Sequence, residues 1–92
     1  MEDIQKLRKK IDEIDEQILR LLGDRSEICR SIGLLKKEQG MPIIDEYREN
    51  QVYTNIRAKT ADFGLDADSV EAIYRQIVNM CSNVQELKEK SE

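Results

Sequence analysis

Apolar positions recur among polar ones at a regular helical spacing over the first 38 residues of the chain. Apolar side chains return every three or four residues, at Ile4, Leu7, Ile11, Ile14, Ile18, Leu21, Ile28, Ile32 and Leu35. This spacing predicts one long amphipathic helix, from Ile4 to Glu38, whose apolar seam packs against other helices. Gly40 and Pro42 follow and mark its end, since glycine accepts the left-handed conformation of a helix terminus and proline cannot continue a helix.

The predicted length of this helix bears on the oligomeric state. At about 1.5 Å per residue, roughly 35 residues make a rod of about 50 Å. A compact chain of 92 residues has a radius of gyration of only about 12 Å. One end of the rod therefore extends beyond the core of a single chain. We expect a second copy to cover it in an intertwined homodimeric helical bundle.

A second helix is expected from about Asp45 to Ala61. Asp45 is a favourable N-cap, and Val52 and Ile56 provide a modest apolar face. The positions of Asp45, Arg48, Glu49 and Val52 follow the i, i+3, i+4, i+7 rule, so they share one side of this helix. Polar side chains thus occupy the start of a face that continues as core.

A third helix is expected after a turn at Gly64, with Asp66 as its N-cap. Its apolar face is formed by Val70, Ile73, Tyr74, Ile77, Cys81 and Val84. The predicted fold class is therefore all-α, with three helices per chain and a very long first helix. We expect a single domain over residues 1–92, with frayed ends at about 1–3 and 89–92.

Composition excludes several classes of function. A net charge of −4 with 37 % charged residues argues against nucleic acid as a partner, because no basic excess neutralises phosphates. No apolar run has the length of a membrane span and the N-terminus lacks a signal-peptide pattern, so no membrane partner and a cytoplasmic location are expected. Histidine is absent, which rules out catalytic triads and HExxH zinc sites.

The two cysteines, Cys29 and Cys81, lie far apart in the sequence and inside helical patterns. Neither a disulfide nor a zinc site is expected from them in a cytoplasmic protein. We interpret both as small buried thiols. No metal and no cofactor are predicted.

Arg25 stands where the apolar seam calls for another leucine or isoleucine. Burying a guanidinium without an anionic partner is costly. Lys36 follows eleven residues later, so it points the same way about 16 Å further along the axis. Arg8 precedes Arg25 by seventeen residues, about 25 Å away and rotated by a quarter turn. If Arg8 contributes to the same site, it comes from the other subunit.

The inward or flanking polar residues form a larger set. Its members are Arg8, Arg25, Lys36, Asp45, Arg48, Glu49 and Gln85. Each alone has an ordinary explanation as a solvated charge, a helix cap or a rim amide. Together, four cations with acidic residues at the edge, and no general base near neutral pKa, indicate a dianionic small-molecule ligand. Catalysis in such a site would depend on positioning and preorganised electrostatics.

Two glycines, Gly23 and Gly33, lie inside the long predicted helix, where each is less favourable than alanine. The ordinary explanation for both is a close approach between helices. Gly33 has a second interpretation, because it lies between Arg25 and Lys36. There, a missing side chain would leave room for a ligand.

An ordered set of short motifs now becomes informative as a whole. It consists of Leu7-Arg8, Ile11-Asp12-x-Ile14-Asp15, Leu21-Leu22-x-x-Arg25, Gly33-x-x-Lys36, Pro42-x-x-Asp45-x-x-Arg48-Glu49 and Cys81-x-x-x-Gln85. This set resembles the all-helical chorismate mutases, and the resemblance extends from about Ile4 to Lys88. It implies an intertwined homodimer that rearranges chorismate to prephenate without a cofactor, on the route to phenylalanine and tyrosine.

The resemblance also implies roles for individual residues. Arg25 and the partner subunit's Arg8 would pair with the two substrate carboxylates. Lys36 would reach the ether oxygen and a carboxylate, and Gln85 would donate to the same ether oxygen as negative charge builds on it. Arg25, Lys36 and Gln85 are therefore the implied catalytic residues.

Four further positions would complete the substrate site. Glu49 and the backbone around Asp45 would hold the ring hydroxyl, and Arg48 would border the carboxylate end. Cys81 is a departure, because the family often carries a small hydroxyl residue there that hydrogen-bonds a carboxylate, and a thiol is a weaker donor.

Other functions fit parts of the same pattern. An isochorismate pyruvate lyase would use a similar scaffold and a similar anionic substrate. A non-catalytic helical dimerisation module explains the apolar seam, but it gives no reason for Arg25 on that seam. Because the third helix ends close to residue 92, the resemblance favours a stand-alone mutase without a fused domain.

Overall fold

The structure is a computed structural model that describes the backbone of residues 3–90 and the side chains of residues 3–86. It consists of α1 (Ile4–Glu38), α2 (Glu46–Lys59), a short 3-10 helix (Thr60–Phe63) and α3 (Ala67–Lys90). Residues 3–90 contain no strand, so the all-α prediction with a very long first helix is confirmed. The expected fraying falls partly on residues 1–2 and 91–92, outside the described residues, and stays a prediction.

The second helix is the one whose predicted bounds need correction. It was expected from Asp45 to about Ala61, whereas α2 ends at Lys59 and the chain continues as the 3-10 helix. Gly64 closes that segment with a φ of +68°, a value that glycine adopts without the steric cost of a side chain. Asp66 then caps α3, accepting hydrogen bonds from the backbone and hydroxyl of Ser69 at 2.9 and 2.8 Å.

The end of α1 is a Schellman motif that turns the chain back towards its own helix. Gly40 has a φ of +67°, and its N–H donates to the carbonyl of Lys37 at 3.3 Å. The N–H of Met41 donates to the carbonyl of Lys36 at 2.8 Å. This pair of bonds satisfies carbonyls that a helix end leaves unpaired. It also brings the following residues, including Ile43, beside the last turns of α1.

The core lies where α3 packs against α1 and α2. Cys29, Tyr53 and Val78 are its buried apolar residues, one from each helix. At the surface, Arg57 on α2 forms ion pairs with Asp68 at 2.9 Å and Glu71 at 3.1 Å on α3. These bonds raise the pKa of Arg57, with the Asp68 contact as the larger cause.

The first half of α1 is left uncovered by the other residues that the structure describes. Its seam residues Ile4, Leu7, Ile11, Ile14, Ile18 and Leu21 are 46–66 % exposed. The radius of gyration is 16.6 Å and the longest dimension is 58 Å, against about 12 Å expected for a compact chain of this length. The predicted projecting rod is confirmed. None of the described helices combines the length and apolarity needed to cross a membrane.

The cysteines require a second correction. Cys29 and Cys81 form a disulfide between α1 and α3, with their Cα atoms 5.4 Å apart, so the prediction of two separate thiols is wrong. Cys81 was placed on the apolar face of α3, and the burial expected for Cys29 is observed. The two cysteines are 52 positions apart in the sequence, and helical periodicity alone does not show that the two helices cross at these positions and bring both side chains together.

Candidate active site

A cleft of about 380 Å³ opens between α1, α2 and α3. It is lined by apolar side chains and by polar groups that come from all three helices and from the segment before α2. The lining residues are Arg25, Ile28, Cys29, Ile32, Lys36, Ile43, Asp45, Arg48, Glu49, Val52, Val78, Cys81, Ser82 and Gln85. Seven of the eight site residues predicted from the sequence are in this set, and Arg8 is outside it.

Arg25 reaches the cleft because it occupies a position on the apolar seam. Its side chain is half-buried, and Nη1 lies 3.8 Å from the Sγ atom of Cys29, one turn further along α1. The residues that flank it on the same face, Ile28 and Ile32, also line the cleft. The guanidinium therefore faces the interior of the molecule, as the interrupted seam predicted.

Lys36 is held by contacts on two sides of the cleft. Its Nζ donates to the carbonyl oxygen of Ile43 at 2.5 Å, which the Schellman motif at the end of α1 brings within reach. It also donates to Oε1 of Gln85 at 3.3 Å, across to α3. An ammonium group has three donors, so one N–H of Lys36 has no acceptor among residues 3–86 and can bind a ligand.

Gln85 is the most deeply buried polar residue of the site, with 3 % of its surface exposed. Its Oε1 accepts from Lys36, and its Nε2 donates to Sγ of Cys81 at 3.3 Å. The amide group has a second N–H, which no described residue accepts. The orientation of this side chain is thus fixed from two directions while one donor stays available.

Gly33 makes room for Gln85. A Cβ atom at Gly33 would lie 2.7 Å from Cγ of Gln85 and 3.2 Å from its Cα, so α1 and α3 could not approach as closely. Helix closeness is therefore the correct interpretation of Gly33, and room for a ligand is not. At Gly23 a Cβ atom would have no described neighbour within 4 Å, so the same interpretation fails there within one chain.

The start of α2 supplies the third wall. Asp45, Arg48, Glu49 and Val52 all line the cleft, as their spacing on one helix face predicted. Oδ1 of Asp45 accepts from the backbone N–H of Arg48 at 3.0 Å, which caps the helix. The guanidinium of Arg48 is exposed and donates to Oε1 of Gln51 at 3.0 Å. Glu49 is half-buried.

The electrostatic character of the cleft follows from the pairing of its cations. Arg25, Lys36 and Arg48 all line it, yet within residues 3–86 none of them forms an ion pair with a carboxylate. Asp45 and Glu49 are nearby without approaching them to ion-pair distance. Three positive groups without an internal counter-ion favour an anionic ligand.

Arg8 is not part of the cleft within one chain. It is exposed on the uncovered half of α1, about 25 Å from Arg25 along the helix axis. Sequence reasoning missed Ser82, which lines the cleft beside Cys81. Nothing in the helical pattern marked it, because it lies one position off the inward face of α3. The apolar lining was partly visible, since Ile28 and Ile32 follow Arg25 by three and seven residues.

Known proteins are similar to this chain over most of its length. The family described as chorismate mutase type II matches residues 7–86. The chain is 32 % identical over 78 residues to a chorismate mutase of Methanocaldococcus jannaschii. The matched region covers 85 % of this chain and 79 % of that protein. It is 31 % identical over 72 residues to a 4-amino-4-deoxychorismate mutase of Streptomyces pristinaespiralis, covering 78 % of this chain and 56 % of that protein.

A longer relative shares the same region. The chain is 35 % identical over 88 residues to a bifunctional chorismate mutase/prephenate dehydratase of Aquifex aeolicus, covering 92 % of this chain but only 24 % of that protein. The chain thus spans about a quarter of that relative and most of the Methanocaldococcus protein. Because the family match extends over residues 7–86, the chain belongs to the type II chorismate mutase family, an all-helical family of isomerases.

Proposed function

We propose that this chain is a chorismate mutase, which rearranges chorismate to prephenate in aromatic amino acid biosynthesis. The observation that carries the proposal is the convergence of Arg25, Lys36 and Arg48 on one cleft in which none has a carboxylate partner. Chorismate carries two carboxylates, so it supplies the negative counter-charge that these three cations lack within the described residues. A non-catalytic dimerisation module gives no reason for such a cleft.

The reaction is a pericyclic Claisen rearrangement within one molecule. An ether C–O bond breaks as a new C–C bond forms, and no proton transfer or covalent intermediate is needed. The protein can accelerate it by holding the reactive conformer and by stabilising the negative charge that develops on the ether oxygen. In the proposal, Lys36 and Gln85 each direct their remaining N–H to that oxygen.

Substrate binding in the proposal depends on two subunits. Arg25 binds one carboxylate, and Arg8 from a second copy binds the other, because Arg8 cannot reach the cleft of its own chain. The exposed seam from Ile4 to Leu21 supports this arrangement, since a second copy of the chain is the simplest cover for such a surface. The resulting homodimer has two equivalent sites.

The rest of the cleft holds the ring. Glu49 and the backbone around Asp45 hold the ring hydroxyl, and Arg48 borders the carboxylate end. In this proposal residues 1–92 form one catalytic domain without a cofactor. The biosynthetic role of the family favours a cytoplasmic location.

A turnover assay on the purified protein tests the proposal. We expect chorismate to be converted to prephenate, which chromatography separates from the substrate. In a parallel reaction with isochorismate, we expect neither salicylate nor pyruvate to form. The Streptomyces relative is named for 4-amino-4-deoxychorismate, so that compound is assayed alongside as a competing substrate. Folded dimeric protein that leaves chorismate unchanged would rule the proposal out.

A further inference from the structure

The disulfide forms part of the wall of the cleft. Cys29 and Cys81 both line it. Cys29 follows Arg25 by one turn of α1, and Cys81 precedes Gln85 by one turn of α3. The covalent bond therefore joins the two helical turns that carry a proposed carboxylate ligand and a proposed donor to the ether oxygen.

Both sulfur atoms contact these functional groups. Nη1 of Arg25 lies 3.8 Å from Sγ of Cys29, and Nε2 of Gln85 lies 3.3 Å from Sγ of Cys81. In a disulfide, neither sulfur carries a proton, so both can only accept hydrogen bonds. A thiol at the same position can also donate one. The redox state of the pair therefore changes the number of donors that the cleft offers to an anion.

The two cysteine residues differ in how far they are exposed. Cys29 is buried, with 4 % of its surface exposed, whereas Cys81 is only half-buried and lines the cleft. A small thiol or disulfide thus reaches Cys81 first, through the space that the proposed substrate occupies. A small thiol or disulfide that reacts with Cys81 therefore competes with the proposed substrate for the same part of the cleft.

We propose that the Cys29–Cys81 pair is a redox-sensitive control of substrate affinity, in which the reduced pair lends the Cys81 thiol to a substrate carboxylate and the disulfide withdraws it. This inference rests on the proposed function. A contact to a non-reacting carboxylate is made equally in the ground state and the transition state. Its loss therefore raises KM and leaves kcat nearly unchanged.

The oxidation is an exchange with a small-molecule disulfide such as oxidised glutathione. The thiolate of Cys81 attacks one sulfur of that disulfide, forming a mixed disulfide and expelling one small thiolate. The thiolate of Cys29 then attacks Sγ of Cys81 and expels the second small thiolate. The two cysteines lose two electrons and two protons, and two small thiols are formed from one disulfide.

The test compares KM and kcat for chorismate after equilibration in reduced and in oxidised glutathione. Alkylation followed by mass spectrometry counts the free thiols in each sample. We expect two thiols and the lower KM in the reduced protein, and no thiols and a KM roughly fivefold higher in the oxidised protein, as for loss of one weak hydrogen bond. Two alkylatable thiols in the oxidised sample would overturn the inference, and so would equal KM values for two forms that both turn over.

Two cysteine-free variants separate the donor from the covalent link. Cys29→Ala/Cys81→Ser keeps a hydroxyl donor at position 81, and Cys29→Ala/Cys81→Ala has none. Each variant should show the same KM in both buffers. The KM of the serine variant should be roughly fivefold lower than the KM of the alanine variant. Equal KM values for the two variants would show that no donor at this position matters.

A binding measurement gives a readout that does not depend on turnover. Since coupling between two equilibria is reciprocal, a ligand that prefers the reduced form must favour reduction. A bicyclic dicarboxylate mimic of the transition state should therefore shift the ratio of reduced to oxidised protein in a glutathione buffer by roughly fivefold. An unchanged ratio with bound mimic overturns the inference alone, whereas absence of both turnover and mimic binding overturns the proposed function.

Discussion

Two regions of this molecule contain arginine side chains that differ in whether a carboxylate of the chain lies beside them. On the surface between α2 and α3, Arg57 pairs with Asp68 and Glu71, and Arg75 pairs with Glu71 at 2.9 Å. Arg75 also lies 4.5 Å from the centre of the Tyr53 ring. In the cleft, Arg25 and Arg48 line a concave surface and pair with no carboxylate among the described residues. The arginines of one region thus have carboxylate partners within the fold, and those of the cleft have none among the residues that the structure describes.

This difference separates groups that support structure from groups that support function. A surface ion pair contributes little to stability, because water already solvates both partners. A half-buried cation without a partner lowers stability, and such a group is retained when it binds something else. Substitution in the cleft should therefore lower activity, and substitution in the paired region should lower stability slightly and leave activity nearly unchanged.

The largest effect is expected for Arg25→Ala, which removes a charge contact to the substrate from the cleft. We expect kcat/KM for chorismate to fall by at least about two orders of magnitude, with the dimer still folded. Arg57→Ala is the matched control in the paired region, and it should keep nearly full activity with a slightly lower Tm. Steady-state kinetics and thermal unfolding of both variants decide this. Near-normal turnover in Arg25→Ala would contradict the proposed site.

A complementation experiment sharpens the comparison by adding Arg8, which lies in neither region. Arg8→Ala and Arg25→Ala homodimers should both be nearly inactive. A heterodimer of the two variants has one site with both arginines intact and one site with neither. Purified through two different affinity tags, it should regain about half of the wild-type activity. A heterodimer as inactive as its parents would mean that Arg8 does not act across subunits.

A smaller effect is expected at the helix crossing behind the cleft. Gly33→Ala places a Cβ atom 2.7 Å from Cγ of Gln85, so α1 and α3 must separate or the amide must turn. We expect roughly a tenfold loss of kcat and a destabilisation of about 1–3 kcal/mol. Gly23→Ala is the control. With no described neighbour within 4 Å, it should stabilise α1 by up to about 1 kcal/mol.

Chemical denaturation and single-turnover kinetics measure these two effects independently. A Gly33→Ala protein with unchanged kcat would show that the position of Gln85 is not set by this crossing. A destabilised Gly23→Ala protein would place that glycine in a contact which a single chain does not contain.

The sequence predicted those features that depend on the periodicity of one helix. The span of α1, the inward position of Arg25 and the shared face of Asp45 and Glu49 follow from the geometry of an isolated helix. The same rule placed Cys81 and Gln85 one turn apart on the inward side of α3. These predictions needed no knowledge of which helices touch.

The features that the sequence did not predict depend on how helices cross. The disulfide and the fit of Gly33 against Gln85 both lie at the crossing of α1 and α3, and local periodicity carries no information on crossing position. The bond from Lys36 to the carbonyl of Ile43 depends on the turn after α1. That turn was recognised as a helix stop, but its direction was not predictable.

The smallest effect concerns acid stability of the paired region. Hydrogen bonds from Arg75 first, and from Arg57 next, hold the pKa of Glu71 below its ordinary value. A lowered pKa in the folded state means that the stabilisation is present above the ordinary pKa of glutamate and is lost as the pH falls through the lower value. Glu71→Gln should therefore flatten the fall in Tm below about pH 4.5, with a change of about a degree at neutral pH. Glu13→Gln, on the exposed face of α1, is the control and should leave the acid slope unchanged. An acid slope identical in the two variants would mean that the contacts of Glu71 with Arg75 and Arg57 contribute nothing to stability.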